Sequence, residues 1–510
     1  MEEPTIGMYE PAPAPYYAGW KRRFFLLLAI VLLVPVFLVV YALVRFGGDR
    51  PVVYDTPEEH FKYGSTGGER ESGFPYWIFQ ALPQVCNHLL PGGYRSLGLI
   101  FEEGKDLPIG MSRRHYLGLD RTFLNCAVCH TSTVRRSPQD KPQIVLGMPA
   151  NTFDVMAFER FFFDCAADPK FTASDIVPEA RRLARARGED IDLLDRYLIY
   201  PIAVAIMRER LLMLRGRFRF VLHQVDQGLL WGPGRVDTFN SAKVLFNFPM
   251  ESLDPKELLG ASDFPSIWNQ GLKRNMQLHW DGNNTLVEER NKSAAFGTGT
   301  TPPTIDLKAI GRIEEWIEKV PSPAYPFTVD KELAARGAPL YKQYCASCHG
   351  ASGQDFSGER VGKVTPIDAV GTDRKRLDSY TYTLAVNQST LYAGYPHRFN
   401  HFRKTFGYAN MPLDGLWLRA PYLHNGSVPT LRDLLAPAAE RPKVFYRGND
   451  LYDDKNVGFV SAVANESGRT FFKYDTSLEG NSNAGHEGPQ YGTHLRAEDK
   501  AALLEYLKTF

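Results

Sequence analysis

DKELAARGAPLYKQYCASCH, residues 330–349, is the stretch on which the fold turns. Asp330 to Tyr344 reads as a helix that leads straight into Cys345-Ala346-Ser347-Cys348-His349. A second copy of the same pattern stands at Cys126-Ala127-Val128-Cys129-His130. C-x-x-C-H needs its three residues for separate reasons. The two thiols add across the vinyl groups of a haem and tether it, and the spacing matches the distance between those groups. The histidine that follows is then set beneath the iron as an axial ligand. One such motif in a cytosolic protein also suits zinc or thiol redox chemistry. Two copies behind an export segment favour covalent haem, so two haem c groups are expected. Cys126, Cys129, Cys345 and Cys348 would be the tethers, with His130 and His349 on the irons.

The export segment is Phe24 to Val44, FFLLLAIVLLVPVFLVVYALV, which carries no charged residue. Crossing a bilayer takes roughly 20 apolar residues, and the central Pro35 is tolerated in such a helix. Lys21, Arg22 and Arg23 precede the run and Arg45 alone follows it. The positive-inside rule then puts residues 1–23 in the cytoplasm and the haem motifs in the periplasm of an inner-membrane, single-pass protein. A cleaved signal peptide is the alternative. The run is longer than the usual apolar core of roughly 7–15 residues, and no clear cleavage site follows it. The lipid bilayer is thus one expected partner, through residues 24–44. Haem c is attached outside the cytoplasm, so motif and topology agree independently. A net charge of +1 provides no global field for nucleic acid, which is not an expected partner.

At 510 residues the chain exceeds a single ordinary core. The organisation expected is a tail at 1–23, the membrane anchor at 24–44, a polar linker at 45–72, an N-terminal haem domain at 73–320, a breaker-rich connector at 321–326 (PSPAYP) and a C-terminal domain at 327–510. Two charged periodic stretches, around 175–197 and 199–227, read as helices of the first domain. The last helix, about 497–509, offers Leu503, Leu504 and Leu507 as an apolar face. Gly337 would let it cross the 330–344 helix closely, with Tyr341 and Tyr506 nearby. A helix before the haem motif packed on a terminal helix is the frame of a cytochrome c domain; two unrelated amphipathic helices are the alternative. Cys86 and Cys165 are left over, and in an oxidising compartment they invite a disulfide.

The sixth ligand of each iron decides the chemistry: two strong ligands favour electron transfer, and an open position admits oxygen or peroxide. Met411, His424 and His486 all follow the second motif and compete for its iron. Spacing alone does not rank them.

PLDGLW (412–417) running into APYLHNGS (420–427) resembles the C-terminal module of bacterial di-haem cytochromes, a group that includes the di-haem cytochrome c peroxidases. FPYWI (74–78), DLPIG (106–110), GPGRVD (232–237), WDGNN (280–284), ERN (289–291), SAA (293–295) and NAGH (483–486) resemble, more narrowly, the rubber-oxygenase-like branch. The resemblance covers roughly residues 73–510. It implies a mainly α fold: two tandem cytochrome c-like domains with long irregular insertions, preceded by one transmembrane helix. It implies that His130 is the only protein ligand of the first iron, whose other face holds dioxygen in an apolar pocket. It implies that His349 and His486 hold the second iron, and that His424 hydrogen-bonds beside that haem. Trp280 matches the family tryptophan near the oxygen-binding haem, and Phe296 would close the pocket. His279 stands where the family carries an aromatic residue. A histidine there could donate a hydrogen bond or a proton, which favours peroxide chemistry and counts against polyisoprene as substrate. For His279, Trp280 and Phe296, ordinary core packing stays open as the alternative.

The function expected is electron transfer with an oxygen- or peroxide-dependent oxidoreductase reaction at the first haem. The partners expected are an electron donor or acceptor in the periplasm or membrane and a small-molecule oxidant. A pure electron carrier and a haem-based redox or gas sensor are the alternatives.

Overall fold

The computed structural model describes Gly7 and residues 17–510. The expectation of a tail at 1–23 falls largely outside the described residues. The chain divides into two compact units. One gathers the described residues up to Arg50 with His115–Leu119, and the other holds Pro51–Arg114 with Asp120–Phe510.

The first unit is built on the helix Tyr17–Phe46, 30 residues with Pro35 inside. At 1.5 Å per residue it is about 45 Å long. Gly19–Phe46 is apolar enough to cross a membrane, and none of its most apolar window is buried. A signal sequence passes the same test. The helix starts at Tyr17, ahead of the apolar run, because nothing in Gly19 to Arg23 breaks it.

The second unit is helical with short antiparallel ribbons. Residues 60–69, expected within a polar linker, are instead buried. Thr56 caps the helix Pro57–Tyr63 by accepting from Glu59 N. That helix buries Phe61 against Trp316, ring centroids 4.7 Å apart, in a cluster with Ile109, Ile267, Ile313 and Ile317. The alternation of polar and apolar residues around Phe61 spans only two turns, too few to stand out in sequence. The helices Tyr76–Val85 and Val155–Ala167 are joined by a disulfide between Cys86 and Cys165, with Cα atoms 5.8 Å apart. Beside it Phe74 stacks on Phe162 at 4.5 Å and Phe79 on Tyr94 at 4.3 Å. The two charged periodic stretches become the helices Ala173–Ala186, Tyr200–Arg217 and Arg219–Asp226.

Near the C-terminus the helices Lys331–Tyr344 and Ala497–Leu507 cross. Gly337 makes the approach: a Cβ there would lie 2.0 Å from the carbonyl oxygen of Ala502. Tyr341 meets Tyr506 at 5.4 Å and Phe510 at 4.8 Å. Leu503, Leu504 and Leu507 point into a core shared with Trp417 and Trp268. That core joins residues from both sides of the 321–326 connector, and the connector itself is packed, with Trp417 Nε1 donating to the Pro323 carbonyl at 2.9 Å. Arg135 pairs with Asp450 at 2.8 Å and Arg447 with Asp263 at 2.8 Å. Residues 73–320 and 327–510 therefore lie in one compact unit. The reason is physical: buried ion pairs and a shared aromatic core tie them together.

Candidate functional site

Each motif is held from behind by its neighbours. At the first, buried Asn125 accepts from Ala127 N at 3.0 Å and donates to the Gly64 carbonyl at 3.0 Å. This fixes the turn Cys126–Val128. Gly110, at φ +91°, lies so close beneath it that a Cβ would meet the Val128 backbone at 2.3 Å. His130 Nδ1 is bound to the Pro265 carbonyl at 2.9 Å. At the second motif the helix Lys331–Tyr344 delivers Cys345, and Tyr341 donates to the Gly350 carbonyl at 2.8 Å. His349 Nδ1 is bound to the Met411 carbonyl at 2.8 Å.

The two motif histidines thus share one arrangement. A backbone carbonyl fixes Nδ1–H, and Nε2 has no hydrogen-bond partner among the described residues. That is how proteins orient a metal-ligating imidazole. Burial drives His130 down to about 3 and lowers His349 as well, so both rings are neutral with a free lone pair, as ligation requires. All four motif cysteines are free thiols. Burial raises Cys126 to about 11 and Cys129 further, which keeps them protonated rather than reactive thiolates.

His486 faces His349 with ring centroids 6.1 Å apart. A metal ion about 2 Å from a ring nitrogen on each side would set two imidazole centroids roughly 6 Å apart. The loop that presents His486 is specified in detail. His486 is in the left-handed region at φ 48°. Its N–H donates to the Val370 carbonyl at 2.7 Å, and Arg441 donates to the Gly485 carbonyl at 2.9 Å. A Cβ on Gly485 would strike Gly371 and Thr372 backbone atoms at 2.3 Å. His486 Nδ1 is buried without a partner. Burial, then the neighbouring His349, holds His486 near 3. A buried imidazole facing another across this gap, with an unpartnered nitrogen, fits a haem iron seated between them.

Met411 and His424 are placed otherwise. The Met411 carbonyl is engaged by His349 Nδ1. His424 is buried with its ring stacked 4.0 Å from Tyr408, and its Nε2 is engaged by the Tyr408 hydroxyl at 3.0 Å. The His424 carbonyl accepts from Asp263 N at 2.9 Å.

A cavity of about 80 Å³ lies among the elements that orient both motif histidines. Pro265 and Met411, whose carbonyls orient His130 and His349, both line it. His279 and Trp280 line it too. Trp280 Nε1 donates to the Asp263 carbonyl at 2.7 Å, which fixes the indole. His279, in the left-handed region at φ 64°, has Nδ1 against Asn283 Oδ1 at 2.6 Å, and burial lowers it to about 3. Phe296 is placed elsewhere: it stacks on Phe246 at 5.1 Å and is absent from the cavity wall. Three cations that sequence reasoning missed, Lys273, Arg290 and Arg419, also line the cavity. Arg290 lies within a quoted family stretch, but no pattern distinguishes an enclosed arginine from a solvated one.

Residues 407–446 match the family model described as RoxA-like, cytochrome c-like. That stretch contains Tyr408, Met411, Arg419 and His424, and it implies covalently bound haem c and haem-based redox function. The chain is 32% identical over 293 residues to the uncharacterized protein y4iM of Sinorhizobium fredii, covering 49% of this chain and 64% of that protein. It is 28% identical over 487 residues to the uncharacterized protein y4iJ of the same organism, covering 76% of each. The chain therefore spans just under two thirds of the first of these relatives.

Proposed function

We propose that this chain is a di-haem cytochrome c of the RoxA-like kind, with an electron-relay haem at the second motif and an oxidant-reactive haem at the first. One observation carries the reading: the asymmetry of the two motif histidines. His349 faces His486 at 6.1 Å, whereas no imidazole pairs with His130 in this way among the described residues. Haem c supplies an iron that carries one electron and, where an axial position is open, binds a small oxidant.

The chain's own residues do the rest. Cys126, Cys129, Cys345 and Cys348 tether the groups. The Pro265 and Met411 carbonyls hold His130 and His349 as neutral ligands in fixed orientation, and His486 closes the second iron to other ligands. His279, neutral and donating its Nδ1–H to Asn283, would offer the lone pair of its Nε2 as a base to a bound peroxide. Trp280 forms part of the same wall. The related di-haem peroxidases and rubber oxygenases mark the reaction class, and a histidine at 279 favours peroxide over polyisoprene chemistry. The exposed apolar helix and the basic Lys21, Arg22 and Arg23 ahead of it support an inner-membrane anchor with the haem motifs in the periplasm. A redox partner in the membrane or periplasm exchanges electrons through the second haem.

The test is made on full-length holoprotein. A pyridine haemochrome assay should count two haems per chain. Electron paramagnetic resonance should show one high-spin and one low-spin ferric iron, and carbon monoxide should shift one reduced haem only. Two low-spin irons that both ignore carbon monoxide would turn the reading into that of an electron carrier.

A further inference from the structure

Arg290 sets an electrostatic problem. It lines the cavity, and burial lowers it to about 10 with no carboxylate to counter this. Among the described residues its one side-chain hydrogen bond is to the neutral Asn291 side chain, at 3.1 Å. A buried cation without a partner is strongly unfavourable. The other two cations of the cavity are only partly compensated. Lys273 Nζ lies 3.1 Å from Asp414 Oδ2 and 2.8 Å from the Trp268 carbonyl. Arg419 donates to the same Asp414 carboxylate and to the Pro412 carbonyl, and its Nε is buried without a partner. Asp263, the carboxylate that itself lines the cavity, is taken by Arg447. Lys273 and Arg419 thus share one carboxylate and Arg290 has none, which leaves two positive charges without a counter-ion among the described residues.

Their placement follows the two motifs. Arg290 lines the cavity with Pro265, whose carbonyl orients His130, and Arg419 donates to the Pro412 carbonyl, next in the chain to the Met411 carbonyl that orients His349. Lys273 shares Asp414 with Arg419 and lines the same wall as Arg290, which makes it the cation common to both sides.

We propose that Lys273, Arg290 and Arg419 form a single carboxylate seat shared by both haem centres, which takes the propionates of the two tetrapyrroles and couples their electron affinities through Lys273. This rests on the di-haem reading above. Arginine suits the outer places because its planar fork meets a carboxylate with two parallel bonds, and lysine suits the middle as a point charge. Removing a positive charge near an iron favours its ferric form, so the midpoint potential falls.

The experiment is a redox titration of full-length holoprotein, with haem content measured in parallel. Lys273→Met should lower both midpoints together, Arg290→Met mainly one and Arg419→Met mainly the other, all at two haems per chain; Lys273→Arg should restore wild-type potentials. A Lys273→Met protein with two haems and only one midpoint moved, or neither, overturns the shared seat. Fewer than two haems in wild type would instead defeat the di-haem reading itself. Acetate added to wild type distinguishes the source of the carboxylate. The potentials should not respond, and a saturable shift would mean that the seat takes a free anion, which overturns the propionate assignment. Arg290→Lys, which keeps the charge and loses the fork, reads the site without a large perturbation. The propionate bending band in the resonance Raman spectrum should move, and an unmoved band counts against the proposal.

Discussion

Gly337→Ala isolates the helix crossing on which the second motif rests. The added Cβ would lie 2.0 Å from the Ala502 carbonyl oxygen, 2.6 Å from its carbon and 2.9 Å from Tyr506 Cβ. The first two are backbone atoms inside the helix Ala497–Leu507, so no side-chain rotation relieves them and the helices must separate. Overpacking of this kind costs about 1–3 kcal/mol, and the rigid neighbour places it at the upper end. Alanine returns about 1 kcal/mol of helix propensity. The net expectation is a loss of about 1–2 kcal/mol. Gly311, in the helix Leu307–Ile317, is the control: a Cβ there meets nothing within 4 Å. Gly311→Ala should therefore stabilise by up to about 1 kcal/mol. Urea unfolding followed by circular dichroism measures both, and the two variants should move the midpoint in opposite directions. Because Lys331–Tyr344 runs directly into Cys345, Gly337→Ala should also disturb the spectrum of the haem at His349. If Gly337→Ala proved as stable as wild type, the close crossing would be refuted.

Three further outcomes follow from other parts of the molecule. His486→Ala should remove the low-spin signal of one iron while the haemochrome count stays at two; an intact low-spin signal would assign that ligand elsewhere. Breaking the Cys86–Cys165 bond, whose partners are 79 residues apart, should cost about 4 kcal/mol in the chain-entropy model, and unreduced wild type should yield no alkylated Cys86 or Cys165 by mass spectrometry. Glu159 has a buried, unpartnered Oε2, and burial followed by Asp154 and Asp237 raises it from 4.5 to about 8. Its folded pKa lies above the unfolded one, so the native state holds the extra proton and stability falls as pH rises from about 4.5 to about 8. Glu159→Gln should flatten the urea-midpoint profile across that interval, and an unchanged slope would clear Glu159 of the effect.

The parts of the site legible in the sequence are those whose chemistry is local. Cys345 to His349 and Cys126 to His130 are recognisable because haem attachment depends on covalent spacing within five residues. Phe24 to Val44 is recognisable because its length and lack of charge are the relevant physics. The terminal crossing was legible for a similar reason, since Gly337 and the spacing of Leu503, Leu504 and Leu507 are patterns within single helices.

What tertiary structure decided concerns groups distant in the chain. Met411, His424 and His486 are equivalent candidates in sequence. The fold sets the His486 ring against His349, gives the Met411 carbonyl to His349 Nδ1, and gives His424 to Tyr408. Phe296 follows Trp280 by sixteen positions, yet its helix turns it onto Phe246. Lys273, Arg290 and Arg419 look like surface charges, because the default place of a cation is water. Only the folded chain brings the three together on the wall of one cavity. Chemistry that acts along the chain can be read from the chain, whereas desolvation and facing geometry are properties of the space that the folded chain encloses.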